Sequence, residues 1–262
     1  MMKIEFLTEE DALYILPLFE EFLRYFSTKF EIVQVSCCPV MGNRPRMQLA
    51  RELTWLYGFS GFSRLVSRYL IARVLSRMPR KPDASRYYSI EQLCAAYGVP
   101  YRAIGNPNAS EFVNDVRERR ADLIVSVACP YILKRPLLEL PRLGCINLHH
   151  APLPRYKGMM PTFWQLYHGE TRVGLTIHSM VDKIDEGSAL LQESLEVQPG
   201  ETLDQLIRRS KRRAAHALAT VLNDIETGSC RPVPLSREGA TYFTFPNREQ
   251  IREFRRRGFR AI

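Results

Sequence analysis

Apolar and polar positions alternate along this chain in a rhythm that changes period several times. Residues 2–7 hold the short stretch KIEFL between polar ends, which predicts a first strand. EEDALYILPLFEEFLRYF follows with apolar residues at helical spacing in spite of Pro17, and FEIVQVSC at 30–37 predicts a second strand. Strand, helix, strand is how a parallel α/β sheet begins. The same rhythm resumes at residue 89. IEQLCAAYG reads as a helix stopped by Gly98, VPYRAI as a strand and SEFVNDVRERR as a helix; ADLIVSVAC is a continuously apolar strand of the kind buried at a sheet centre. GCINLH is the next strand, and VGLTIHSM follows after a helix around 161–169. TLDQLIRRSKRRAAHALATVLNDIETG is a long helix, with Thr202 and Gln205 spaced as a capping box and Gly228 placed to stop it. The basic tail REQIREFRRRGFRAI is open to a helical reading.

The segment from about 45 to 82 departs from this pattern. GFSRLVSRYLIARVLSRM sets Arg64, Arg68, Arg73 and Arg77 near one another on a helix. Leu65, Val66, Leu70, Ile71, Val74, Leu75 and Met78 form an apolar stripe beside them. One reading is a helix resting on its own domain with its arginines in water. The other is a helix that docks on a partner or lies on a membrane surface.

Composition narrows the class. With 262 residues and 45% hydrophobic content, the chain has ample material for a buried core. No apolar run reaches the roughly 18 residues of a membrane span, and MMKIEFLTEEDALY is too acidic for a secretory signal, so a cytoplasmic location is expected. The six cysteines form no C-x-x-C pair and read as reduced, buried thiols. The net charge of +9, concentrated in 44–86, 208–213 and 248–260, favours an anionic partner such as a nucleotide, a phosphorylated substrate, nucleic acid or an anionic membrane.

Candidate chemistry gathers in one region. Four of the five histidines, His149, His150, His168 and His178, fall within thirty residues; Asn147 lies just before them, and Asp182 and Asp185 follow shortly after. Residues i and i+2 of a strand share a face, so Asn147 and His149 project together from the strand's C-terminal end. His150 points the other way unless the strand has already broken. A side-by-side amide and imidazole suit a reaction that builds negative charge on a carbonyl oxygen, and His149 can also handle a proton. Taken alone, N-x-H is a weak signal and more often describes a satisfied structural pair. The histidine spacings fit no usual zinc ligand pattern, so no metal is expected.

VACPYILKRPLLELPRLGCINLHHAPLPRYKG, followed by TRVGLTIHSMVDKIDEGSALLQ, resembles the folate-dependent formyltransferases, a family that includes methionyl-tRNA, glycinamide ribonucleotide and nucleotide-sugar formyltransferases. The residues that carry the resemblance are Asn147 and His149, Leu153-Pro154, Lys157-Gly158, Thr176-Ile177-His178 and Asp185-Glu186-Gly187. It is strong from about 122 to 195 and fades toward both ends. It implies a Rossmann-like α/β formyltransferase fold, a mostly parallel twisted sheet flanked by helices. A catalytic domain would span 1–228, with a helical insertion at about 45–82, and 229–262 would be a short C-terminal extension.

The resemblance also implies 10-formyltetrahydrofolate as formyl donor. Asn147 and His149 would steady the oxyanion, and Asp185 would orient or charge His149 and help remove the amine proton. Tyr131, Ile132 and Leu133 would lie along the pterin pocket, with Val181, Asp182, Lys183 and Ile184 closing its other side. His150, Arg155, Lys157 and His178 would border the acceptor. The chain departs from the family at His150, at Ala151 and in P-L-P for L-L-P, all on the acceptor side.

Three acceptors compete. The basic surplus suits tRNA phosphates, but the stretch after Gly228 is short for the barrel-like domain that methionyl-tRNA formyltransferases carry. The glycinamide ribonucleotide enzymes use a glycine-rich phosphate loop where this chain reads FLTEEDALY. A small-molecule amine, such as an amino sugar on a nucleotide, is therefore the preferred expectation. A formyltetrahydrofolate hydrolase and a non-catalytic nucleic-acid binder remain alternatives.

Overall fold

A computed structural model describes residues 1–40, 45–183 and 185–262. The chain opens with β1 (Lys3–Glu9), α1 (Leu16–Phe26) and β2 (Glu31–Cys38). Next come α2 (Arg46–Leu75), α3 (Ile90–Tyr97), β3 (Tyr101–Ala103), α4 (Ser110–Arg119) and β4 (Leu123–Val127). The middle holds α5 (Arg135–Leu138), β5 (Cys145–His149), β6 (Lys157–Gly158), α6 (Pro161–Tyr167), β7 (Arg172–Ser179) and β8 (Ser188–Glu196). It closes with α7 (Leu203–Thr227), β9 (Val233–Pro234), β10 (Tyr242–Phe243) and α8 (Arg248–Arg256).

The main sheet runs β3-β2-β1-β4-β5-β7-β8-β9. The strands from β3 to β5 are parallel, and β7, β8 and β9 join antiparallel. Strand order reverses between β1 and β4, so the sheet is doubly wound, and such sheets hold ligands at the carboxyl ends of strands near that reversal. β4 is buried along its whole length, as its run of apolar residues requires.

One face of the sheet packs on α1 and α7. Phe6 lies edge-on to both Phe19 and Phe22, and Ala214, Ala215 and Leu218 of α7 are wholly buried in the same core. The other face buries Leu7, Phe112, Val116, Ile124, Leu133 and Leu137. α1 begins at Leu16, later than the apolar spacing suggests, because Pro17 lacks an N–H and is accommodated only in the first turn. α7 begins at the expected capping box of Thr202 and Gln205 and ends on Gly228 in the left-handed region.

A third core lies outside the sheet. Leu56 and Leu65 of α2, Phe163 of α6 and Leu203 bury against Ile251 and Phe254 of α8. β10 pairs in parallel with β6, so residues after Gly228 close over the loop that follows β5. α2 is one helical run interrupted at Gly58, whose φ of 71° no ordinary helical residue adopts.

Candidate active site

β5 carries the first two functional side chains. In register, Asn147 lies opposite His178 of β7, and His149 opposite Thr176. Cross-strand partners share a face, so the amide and the two imidazoles, His149 and His178, gather at one strand end. Asn147 Nδ2 is 3.2 Å from His178 Nε2.

Asp185 arrives from the turn between β7 and β8. Its Oδ2 accepts from the backbone N–H of Gly158 at 3.0 Å and faces His149 Nδ1 at 3.7 Å, while its Oδ1 faces His178 Nε2 at 3.7 Å. Both glycines of the sequence pattern have steric reasons. A Cβ on Gly187 would sit 1.9 Å from the Ser179 carbonyl oxygen, and one on Gly158, at φ +89°, would sit 2.3 Å from that of Phe243. Asp185 itself is held at φ 49°, a left-handed conformation that costs a non-glycine residue about 1 kcal/mol or more.

Hydrogen bonds to carbonyls define the histidine tautomers. His178 Nδ1 lies 2.9 Å from the Ser179 carbonyl and must donate to it, so in the neutral ring Nε2 is left to accept from Asn147. Burial pushes the His178 pKa down, which keeps that acceptor available; the Ser179 carbonyl and the Asp185 charge oppose the shift. His149 Nε2 lies 2.9 Å from the Tyr156 carbonyl and donates there. A second proton, on Nδ1, would face Asp185 directly. The trio can therefore take up a proton at His149 beside an amide donor at Asn147. Fixed donors of this kind stabilise a developing oxyanion better than mobile water does.

The loop after β5 is held from several sides. Thr176 Oγ1 donates to Ala151 O and accepts from Leu153 N. Gln192 donates to Leu153 O, and Gln165 donates to His150 O. Thr176 is thus a strap for the loop that carries Tyr156 and Gly158.

A cleft of about 570 Å³ is lined by Ile132, Lys157, Asp182, Lys183, Glu186, Ala240, Thr241 and Tyr242; Asn147, His149, His178 and Asp185 do not line it, and it adjoins them through Lys157 and Glu186, the chain neighbours of Gly158 and Asp185. Of the expected pterin-side residues, Ile132, Asp182 and Lys183 line it. Leu133 is buried in the sheet core, Tyr131 packs partly against that core, and Val181 is exposed. Ile184 lies outside the described residues. Asn108 accepts from Lys134 N and donates to Ile132 O, which fixes the loop bearing Ile132.

The expected acceptor-side residues scatter. Lys157 is buried, with its Nζ 3.5 Å from Glu186, and Arg155 pairs with Glu170 at 2.7 Å. His178 belongs with the trio. His150 turns under α7, where Ser210 Oγ is 3.5 Å from its Nδ1 and its Nε2 meets no hydrogen-bond partner among the described residues. Burial, with the Lys211 charge second, holds the His150 pKa well below its usual value. Lys211 is itself pushed down to about 8 by burial, against the opposing charges of Glu9 and Asp11.

Sequence reasoning missed the Tyr156 carbonyl and the Gly158 N–H, since backbone groups have no signature in residue type. Residues 240–242 wall the cleft as well, and of these Ala240 and Thr241 carry no signal in the sequence. Among the described residues, no helix is long and apolar enough to cross a membrane.

The sheet is doubly wound, and an amide, two imidazoles and a carboxylate gather along β5, β7 and the turn after β7. A profile of the formyl transferase family matches residues 65–222, and the chain belongs to that family. It is 35% identical over 145 residues to a methionyl-tRNA formyltransferase from Pelobacter propionicus, covering 55% of this chain and 46% of that one. The chain spans about half the length of the curated relatives it matches. Among solved structures it superimposes on glycinamide ribonucleotide transformylase 1 from Symbiobacterium toebii with a TM-score of 0.59, at 16% identity over 90% of this chain and 95% of that one. A sugar N-formyltransferase from a Shewanella species gives a TM-score of 0.55, at 16% identity over 97% and 87%. At these identities the structural likeness is one of fold.

Proposed function

We propose that this protein transfers a formyl group from 10-formyltetrahydrofolate to the primary amine of a small-molecule acceptor. The observation that carries the reading is the convergence of Asn147, His149 and Asp185 beside a cleft of about 570 Å³, a size in the range for a drug-sized ligand. Ile132 and the Tyr242 ring offer apolar walls to a pterin, and the backbone around Asp182 and Lys183 offers polar groups to its edge. The donor supplies the formyl carbon at which a neutral amine adds; the added amine gives up a proton, the formyl C–N10 bond breaks, N10 takes a proton and tetrahydrofolate leaves.

The chain's own residues then have distinct tasks. Asn147, its amide oriented by His178, presents an N–H to the oxygen on which charge builds. His149, anchored by Nε2 on the Tyr156 carbonyl, holds or moves a proton at Nδ1. Asp185 steadies that proton and is itself held by Gly158. Losing one oxyanion donor of this kind raises a barrier by about 3 kcal/mol.

A second acceptor, methionyl-tRNA, is favoured by the 35% identity to an enzyme of that name. The small-molecule reading draws its support from the C-terminal segment, which folds back through β10 onto β6 and walls the cleft. Incubation with 10-formyltetrahydrofolate and a panel of nucleotide-linked amino sugars, simple amines and charged methionyl-tRNA, with tetrahydrofolate release followed, separates these. Release dependent on a small amine supports the proposal. Release only with the charged tRNA, or equally without any amine, contradicts it.

A further inference from the structure

The outer face of α2 is apolar and unpartnered. Val66, Leu70 and Val74, spaced four residues apart, form one stripe along the helix, with Ile71 beside it and Met78 in the turn after Leu75, and all five are exposed. Leu70 and Val74 keep 54% and 63% of their surface open to solvent, which is unusual for branched aliphatic side chains grouped together. The opposite face does the structural work. Leu65 and Ala72 are buried there, and Arg68 reaches Asp204 at 3.3 Å. The helix is thus anchored by one seam, and the apolar stripe is surplus to the fold.

Charge says what would cover that stripe. From Leu53 to Pro82 the sequence holds no acidic residue, while Arg64, Arg68, Arg73, Arg77, Arg80 and Lys81 are basic. Arg64, Arg73 and Arg77 are exposed and make no ion pair among the described residues. On a helical projection Arg73 falls within the same solvent face as Val66 and Leu70 and Arg64 lies on its flank, while the exposed Arg77 follows in the turn after Leu75. The basic character continues onto α8, which packs on α2 through Arg255 donating to the Trp55 and Leu56 carbonyls.

A helix with aliphatic side chains toward the outside, cations among them and no anions fits an interface that is apolar inside and negative at its surface. Nucleic acid would use the arginines but leave the aliphatic stripe in water. A second copy of the chain would bring the same uncompensated arginines face to face. No described helix can span a bilayer, so the contact would lie in the surface plane. We infer that the outer face of α2 is a peripheral docking surface for an anionic lipid bilayer, with Val66, Leu70, Ile71 and Val74 entering the headgroup boundary and Arg64, Arg73 and Arg77 meeting lipid phosphates. The inference is independent of which amine the protein formylates.

The experiment is co-sedimentation of the full chain with phosphatidylcholine vesicles, with and without phosphatidylglycerol, at low salt. Leu70→Glu combined with Val74→Glu tests the stripe, and Arg73→Ala with Arg77→Ala tests the charges. These four side chains are exposed, and circular dichroism confirms that the variants stay folded. The expected result is association that rises at least about tenfold with phosphatidylglycerol, and that falls about tenfold or more in either double variant. Four outcomes would overturn the inference: no association with phosphatidylglycerol vesicles at low salt; association unchanged by the glutamates; a chain that elutes as a dimer and becomes monomeric in the glutamate variant without binding vesicles; or binding of the same face to bulk tRNA in place of vesicles.

Discussion

The backbone N–H of Gly158 donates to Oδ2 of Asp185 across 3.0 Å, so a loop that follows β5 holds a carboxylate supplied by the turn after β7. The same oxygen faces His149 Nδ1 at 3.7 Å. Two segments far apart in sequence thus fix one acid-base pair. Changes at the loop should be felt at the carboxylate.

Gly158→Ala is the direct test of that coupling. Its Cβ would press on the Phe243 carbonyl at 2.3 Å, with φ in the left-handed region, and would part β6 from β10. A loss of about 2 kcal/mol in urea unfolding is expected. Turnover should fall further than this loss of folded protein explains, measured under conditions where the variant remains folded.

Asp185→Asn keeps the shape and one acceptor for the Gly158 N–H but removes the charge facing His149. Turnover should drop roughly 100-fold, in the range for loss of a positioned acid-base group, with the melting temperature little changed. A parallel fall in melting temperature would instead mark Asp185 as a structural residue.

His178 is a positioning residue whose neutral Nε2 accepts from Asn147. His178→Gln can keep an oxygen acceptor there, whereas His178→Ala cannot. The glutamine variant should retain several-fold more kcat than the alanine variant, with a similar KM for the donor. Equal kcat in the two would show that Asn147 needs no such partner.

His150 carries a pH dependence of stability. Its burial, reinforced by Lys211, holds the folded pKa well below 6.5, so acid protonates the unfolded chain first. Stability present above about pH 6.5 is lost as pH falls from there toward the folded value. The buried carboxylates Glu5, Glu10 and Asp11, whose pKa values burial raises, act in the opposite sense: their contribution is present at low pH and is lost as pH rises through the folded values. Comparing wild type with His150→Gln isolates the histidine. Thermal melts between pH 7.5 and 5.5 should show a shallower loss in the variant, and identical slopes would contradict the assignment.

The central strands were legible because burial on both faces leaves a continuous apolar run, as in β4, and α7 was legible because its cap and its stop are local chemistry. Asn147 and His149 could be placed on one face from the strand period alone. That His178 stands opposite Asn147 could not, since it depends on the register with which β7 returns beside β5. β6 and β10 are two residues each and exist only because they find one another across more than eighty positions. The stripe of α2 was visible, but which of its residues face solvent was not. The buried seam runs through Leu65 and Ala72, which sets Val66 and Leu70 outward.

Asn147, His149 and Asp185 acting together on a folate-borne formyl group is the central proposal. Calorimetric titration with a tetrahydrofolate analogue, followed by tetrahydrofolate release from 10-formyltetrahydrofolate and an accepted amine, tests this in wild type and in the three alanine variants. The variants should bind the analogue within about threefold of wild type yet turn over roughly 100-fold or more slowly. Wild-type turnover in all three, or no detectable folate binding by the wild-type protein, would contradict it.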